Sequence, residues 1–261
     1  MPESINRRRA LQFLAAGAAS AIFAGPTPAK ENRIERLIRE SRTIAHLPPR
    51  IDFISRALRG TRYRAGTLVG GPYEPEKFIV RDDAFDCVTY CETVLAAARA
   101  ENRAEFETQL RNLRYHNGVV DWFERNHYFF EWCQHNVDNK MCRWLEVGGV
   151  VDIEKTVDSQ KGLARRAFAM RVIPSAVFLA RKSALQTGDV VGFVSRRADL
   201  DYFHCGLIAF ARGRLLVRHA SATHRRVLDE RMDRFLAVNR VHYVTLLRPA
   251  EASARAIVKA D

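Results

Sequence analysis

Residues 204–219 read His204-Cys205-Gly206-Leu207-Ile208-Ala209-Phe210-Ala211-Arg212-Gly213-Arg214-Leu215-Leu216-Val217-Arg218-His219, and this stretch decides the fold class. Two apolar runs flank Arg212-Gly213, a hairpin-turn signal. A two-residue turn there pairs residue 211 with 214, and therefore Gly206 with His219. A tight turn joins antiparallel strands, because parallel neighbours need a long crossover. Two more strand-like runs lie nearby. Val190 to Val194 follows the turn Gln186-Thr187-Gly188-Asp189, and His242 to Leu247 comes last.

Toward the N-terminus the period changes from two to three or four. Residues 31–45 place Ile34, Leu37, Ile38 and Ile44 on one helical face, and Leu47-Pro48-Pro49-Arg50 is read as its end. Residues 50–59 form a second short helix that stops at Gly60. Tyr63 to Pro75 is loop-like, and Phe78-Ile79-Val80 reads as a short strand. Asp86 is an N-cap. The helix it opens runs to about Arg99, with Val88, Cys91, Leu95 and Ala98 on an apolar face. Another helix covers about Arg103 to Leu113. Residues 115–145 are rich in aromatic groups and partly helical. Helices first and an antiparallel sheet afterwards make the fold class α+β rather than a βαβ repeat.

Composition narrows the function classes. Apolar residues are 47% and charged residues 28% of the 261, the balance of a globular protein in water. No run reaches the roughly 18 apolar residues of a membrane span. The start is different in kind. Asn6-Arg7-Arg8-Arg9 precedes a short apolar run from Ala15 to Ala24, then Gly25-Pro26-Thr27-Pro28-Ala29. A basic head, a short apolar core and a small-residue exit are the parts of an export signal. The arginine pair resembles the twin-arginine type, and cleavage fits after either Ala24 or Ala29. The alternative is a basic N-terminal helix that is retained. Export would leave the chain periplasmic or secreted, with no stable membrane span after signal removal. The domain reading is a signal and linker over 1–29, one domain over 30–252 and a tail over 253–261.

The net charge is +12, and residues 1–24 carry +2 of it, leaving +10. That charge draws the protein to anionic polymers. The basic residues are scattered and form no nucleic-acid-binding module, so no nucleic-acid partner is expected. Five cysteines are too few and too odd in number for a disulfide framework.

Three residues carry the chemistry. Cys87 falls in the first turn of its helix, where the positive end of the dipole favours thiolate. The alternative is a buried, inert thiol. Cys91, one turn further in, is the rival, with core packing as its ordinary role. His204 opens a strand after the polar turn that ends Asp201-Tyr202-Phe203, and neutral imidazole is a proton acceptor near pH 7. His219 lies on the same face of the hairpin, diagonal to His204 and within reach of it. An imidazole that acts as base needs such an orienting neighbour. A zinc site from His127, Cys133, His135 and Cys142 is rejected on its unpaired spacing. No phosphate loop is present, and no metal or cofactor is expected.

Taken in order, these residues resemble the NlpC-type papain-like cell-wall hydrolases. Asp86-Cys87-Val88-Thr89 heads a helix, Leu185 to Val191 introduces a strand, His204 starts the next, and His219-Ala220-Ser221 closes the one after. More closely, the chain resembles the N-acetylmuramoyl-L-alanine amidase-like family, first described as a domain of unknown function. Arg114-Tyr115-His116-Asn117-Gly118-Val119-Val120, then Asn126 to Trp132, look like its middle signature. Arg218-His219-Ala220-Ser221 with Arg226-Val227 looks like its closing one. The resemblance spans about residues 34 to 248. It implies a papain-like fold, with a cysteine at a helix start packed on an antiparallel sheet. It implies Cys87 as nucleophile, His204 as base and His219 as orienting residue. The implied substrate is peptidoglycan, at the bond between muramic acid and L-alanine. A stem-peptide endopeptidase and a non-catalytic wall-binding module are the alternatives. Tyr115, Trp122, His127 and Tyr128 are expected to line a substrate groove, with core packing as their other reading. Cys205 departs from the valine or threonine expected there, and Trp122-Phe123-Glu124-Arg125 also differs.

Overall fold

The computed structural model describes residues 32–158 and 160–251. The proposed signal in 1–29 and the tail 253–261 therefore lie outside the described residues. The described residues form one compact unit.

Helices come first. They are α1 (Arg33–Ser41) and α2 (Leu47–Ala57), followed by the short strands β1 (Arg62–Tyr63), β2 (Val69–Gly71), β3 (Glu74–Lys77) and β4 (Ala84–Phe85). Next come α3 (Cys87–Arg99), α4 (Arg103–Arg114), α5 (Phe129–Asp138) and β5 (Cys142–Trp144). A hairpin of β6 (Val151–Val157) and β7 (Arg166–Pro174) leads to α6 (Ser175–Ala180). The remainder is β8 (Val190–Val194), β9 (Tyr202–Ala211), β10 (Arg214–Ser221), β11 (Arg226–Arg231), α7 (Met232–Val238) and β12 (Tyr243–Pro249).

Ten of the strands form one sheet in the order β4-β1-β11-β10-β9-β8-β12-β7-β6, with β5 also on β12. Its pairings are antiparallel except β1 with β4. The fold is mixed α+β, as the order of periods implied. The hairpin register is the expected one, with Arg214 opposite Ala211 and Arg218 opposite Leu207.

Three local expectations are corrected. Pro48 and Pro49 do not end the first helix; they sit in the first turn of α2, where proline's missing N–H costs nothing. Residues 78–80 are not a strand; the strand before them is β3, at Glu74–Lys77. And α3 has no single apolar face: Thr89 through Ala98 are all buried. The sheet covers one side through β9 and β10, while α1, α2 and α4 cover the rest. A helix buried on every side, its one buried carboxylate, Glu92, paired with Arg114, is the one that belongs at the centre.

The core lies on both faces of the sheet. One cluster, with Ile34, Ile54, Tyr90, Val94, Trp132, Tyr202 and Cys205, fills the space under the first five helices. The other, with Phe178, Phe193, Ile208, Val217, Met232 and Phe235, lies under α6 and α7.

Candidate active site

Cys87 is the first residue of α3, and the turn that presents it is fixed by a reciprocal cap. The Asp86 carboxylate accepts from the Thr89 amide at 2.8 Å, and the Thr89 hydroxyl accepts from the Asp86 amide at 3.0 Å. Each satisfies an amide that the helix start leaves open. The Thr67 hydroxyl adds a third tie to Asp86, at 3.2 Å. Among the five free cysteines Cys87 alone is half-buried, and the other four are buried.

His204 owes its placement to a β-bulge. Phe193 lies opposite His204 but Val194 lies opposite Tyr202, so Phe203 is an extra residue in β9. In an unbroken strand Tyr202 and His204 would share a face. Here Tyr202 joins Cys205 in the core under the helices, and the His204 ring stands beside Phe193 and Phe235 of the other cluster, at 6.1 and 5.7 Å between centroids.

The two imidazoles meet as the hairpin register requires. His204 Nε2 and His219 Nδ1 are 2.6 Å apart, with the rings edge-on at 85°. His219 is 1% exposed, and Phe235 covers it at 5.3 Å. Burial drives its pKa down to about 3, with the neighbouring His204 and His224 pushing the same way. His219 is therefore a neutral imidazole near pH 7.

The Cys87 sulfur interacts with two residues of β9, Cys205 and His204. Its pKa is held well below the ordinary thiol range. The largest cause is a hydrogen bond from the Cys205 side chain; burial opposes it; the charge of His204 and a hydrogen bond to that ring add to the lowering. Cys205 itself is pushed well up, first by burial and then by its contacts with Cys87 and Cys91, so it remains a thiol that can donate. Cys205 is thus no passive replacement for an aliphatic residue, because its thiol favours the charged form of Cys87. Cys91 is fully buried in the core.

Two neighbours escaped the sequence reading. Tyr63, half-buried on β1, has its pKa raised by burial and then by the nearby charges of Cys87 and Asp86. Its hydroxyl therefore stays protonated, a donor in the electrostatic neighbourhood of Cys87. Glu230 on β11 places Oε2 2.9 Å from His219 Nε2. Strand pairing was the available signal: His219 lies opposite Leu228, so Glu230 is its diagonal neighbour on the same face.

The aromatic residues expected in a groove are mostly inside. Tyr115, Trp122 and Tyr128 are buried. The Tyr115 hydroxyl donates to Glu76 at 2.8 Å, and Tyr128 packs edge-on against Phe168. Core packing is therefore the reading the structure supports for these three. His127 is half-buried, packs at a tilt against Trp122 with ring centroids 4.3 Å apart and has Nε2 2.7 Å from the Trp122 carbonyl. None of the four has a contact with Cys87, His204 or His219 among those described.

Solved structures share this architecture. A protein of Legionella pneumophila str. Philadelphia 1 superposes with a TM-score of 0.73 at 22% identity, covering 84% of this chain and 94% of its own. Two structures of N-acetylmuramoyl-L-alanine amidase from Bacteroides uniformis superpose with TM-scores of 0.63 and 0.64. Their identities are 21% and 19%, and they cover 76% and 84% of this chain and 97% and 100% of their own. No curated protein matches the sequence. The family model of the N-acetylmuramoyl-L-alanine amidase-like proteins spans residues 53–241, a stretch that holds Cys87, His204, His219 and Glu230, and the chain belongs to that family.

Proposed function

We propose that the protein is an exported cysteine amidohydrolase of the bacterial cell wall, with a papain-like arrangement of its site. One observation carries the reading. A half-buried sulfur at the start of a central helix, its pKa depressed, lies against an imidazole that is itself backed by a second, neutral imidazole. A thiolate poised beside a base is what amide acyl transfer requires. Membership in an amidase-like family, and neighbours named N-acetylmuramoyl-L-alanine amidase, support peptidoglycan as the substrate.

In this reading the Cys87 thiolate attacks the lactyl carbonyl of muramic acid. The C–N bond breaks, His204 gives its proton to the departing L-alanine nitrogen, and a thioester remains on Cys87. His204 then takes a proton from water as it attacks the thioester, which releases the muramic carboxylate and restores the thiol. The oxyanion is held by the Cys87 amide, open at the helix start, and the Tyr63 hydroxyl is the second donor. The signal in 1–29 delivers the domain over 30–252 to the periplasm or the outside. No described helix is long and apolar enough to cross a membrane.

The test is digestion of purified sacculi by the mature protein, with muropeptides identified by mass spectrometry. Free stem peptides beginning with L-alanine support the reading. Shortened stems still attached to glycan would move the cut into the peptide. If Cys87→Ala releases as much product as wild type, the cysteine mechanism is wrong.

A further inference from the structure

The hydrogen-bond chain does not stop at the second histidine, and its end fixes where every proton sits. His219 Nε2 is 2.9 Å from Glu230 Oε2, and the other carboxylate oxygen is 3.6 Å from His224 Nε2. A carboxylate only accepts, so the His219 proton is on Nε2. His219 is buried and neutral, so its Nδ1 is bare and must accept. Among the described residues the one donor facing it is His204 Nε2, at 2.6 Å. With its Nε2 proton directed to His219, His204 has Nδ1 left to face Cys87; there it takes the thiol proton and becomes the charged ring that favours the thiolate. Three acceptors in a row therefore leave one orientation of the whole chain.

We propose that Glu230 is a positioning residue that sets the tautomers of His219 and His204, so that His204 presents Nδ1 free to take the proton of the Cys87 thiol. The assignment rests on Cys87 being the nucleophile, but the tautomers themselves can be observed without any substrate. Without Glu230, nothing polar that the structure places at His219 Nε2 fixes its proton. The pair can then reverse, with His219 Nδ1–H donating to His204 Nε2 and the His204 proton moving to Nδ1. In that state the base is already protonated on the side of the sulfur, and the thiol cannot be relieved of its proton. Among the described residues the side-chain partners of Glu230 are His219 and His224, not Cys87, so its effect travels through His219.

The strand geometry supports a dedicated role. Glu230 lies opposite Val217 and so shares the face of His219. Its neighbour Asp229, on the other face, is committed to Arg218 at 2.6 Å. Adjacent acidic residues of β11 thus serve two different tasks, one holding α2 to the sheet through Arg218 and Asp52, the other reaching the imidazoles.

The experiment uses the full chain labelled with 15N in its imidazoles, as wild type, Glu230→Gln and Glu230→Ala. Wild type is expected to show His219 as the Nε2–H tautomer near pH 7. Glu230→Gln keeps an oxygen in place and should keep that tautomer, with iodoacetamide labelling Cys87 within ~3-fold of wild type. Glu230→Ala should show mixed or reversed tautomers and label Cys87 at least ~10-fold more slowly, since a misplaced imidazole proton costs up to ~10⁴ in a related triad. On a cleaved substrate the loss would fall on kcat, with KM held. A wild-type His219 protonated on Nδ1 would overturn the proposal, and so would Glu230→Ala with unchanged tautomers and labelling rate. If the tautomers respond as described but sacculi remain intact with wild type, the cell-wall reading fails and the role of Glu230 stands.

Discussion

Gly206 lies across the hairpin from His219, and a Cβ built on it would come within 3.0 Å of the His219 Cβ. The same atom would meet Val217 Cγ2 at 2.8 Å and the Arg218 carbonyl at 3.1 Å. No side chain fits there while the two strands keep their spacing. Glycine in the middle of a strand marks such a close approach. The first prediction follows directly. Gly206→Ala should lose about 1–3 kcal/mol of stability from overpacking, read by urea denaturation. It should also slow alkylation of Cys87, because His219 must shift and His204 with it. A variant as stable and as reactive as wild type would show that the strands yield without disturbing the imidazoles.

That hairpin was legible because its signal is local. Arg212-Gly213 is turn chemistry, and Arg212 and Gly213 do take positive φ, 49° and 72°. The cap at Asp86 was legible for the same reason, as one side chain and the amide three residues on decide it. What escaped depends on neighbours far along the chain. β6 alternates Val151, Ile153, Lys155 and Val157, but most of it faces solvent on both sides, so no apolar period announces it. β11 reads Arg226-Val227-Leu228-Asp229-Glu230-Arg231, and its charges look like a loop until Arg218 is found opposite Asp229. Since β11 was missed, Glu230 was missed with it. That the rings of Tyr115, Trp122 and Tyr128 are buried was not legible, for a related reason. Aromatic clusters look alike in sequence whether they line a groove or fill a core.

The thiols should separate cleanly by reactivity. Burial raises Cys142 to about 12 and lifts Cys133 and Cys205 well above the ordinary range, whereas Cys87 is depressed and half-buried. Native protein treated with iodoacetamide at pH 7 should therefore take one label, on Cys87, by peptide mass spectrometry. Its rate should hold as pH falls below 9 and decline only well under that value. His204→Ala removes a charge and a hydrogen bond from the sulfur while leaving the Cys205 bond, so its rate should begin to fall at a higher pH. Equal pH profiles for the two proteins would remove His204 from the activation of Cys87.

A buried ion pair ties the central helix to its neighbour. Arg114 Nε donates to Glu92 Oε2 at 2.8 Å, with both side chains 3% exposed. Arg114 also donates to the Ile79 carbonyl at 2.8 Å. Removing one partner leaves a charge in the core, so Glu92→Ala should cost about 3–5 kcal/mol. The double variant Glu92→Leu with Arg114→Met should recover a good part of that, because neither charge then remains. Chemical denaturation of the two variants checks it. A double variant as unstable as the single one would mean that the Ile79 contact, not the ion pair, carries the loss.

Acid should destabilise the protein through histidines that the fold keeps neutral. His219 is held to about 3 by burial, then by His204 and His224. His127 is held to about 4, first by burial and then, against its bond to the Trp122 carbonyl, by Arg125 and Arg166. Unfolded, each titrates near ~6.5. The unfolded chain thus takes up protons first as pH falls, so the stability these groups contribute is fully present above ~6.5 and is lost progressively toward the folded values. One such proton gives a slope of about 1.4 kcal/mol per pH unit. At His219 the carboxylate of Glu230, 2.9 Å away, favours the charged ring, so the observed slope should be smaller than that. Exchanging His219 for glutamine keeps an acceptor for His204 and a donor for Glu230 but removes the titrating group. Unfolding free energies measured between pH 7 and 4 should fall less steeply in His219→Gln than in wild type, by up to one proton's worth. Parallel curves would mean that His219 gains its proton in the folded state as readily as in the unfolded one, and that its burial does not hold it neutral.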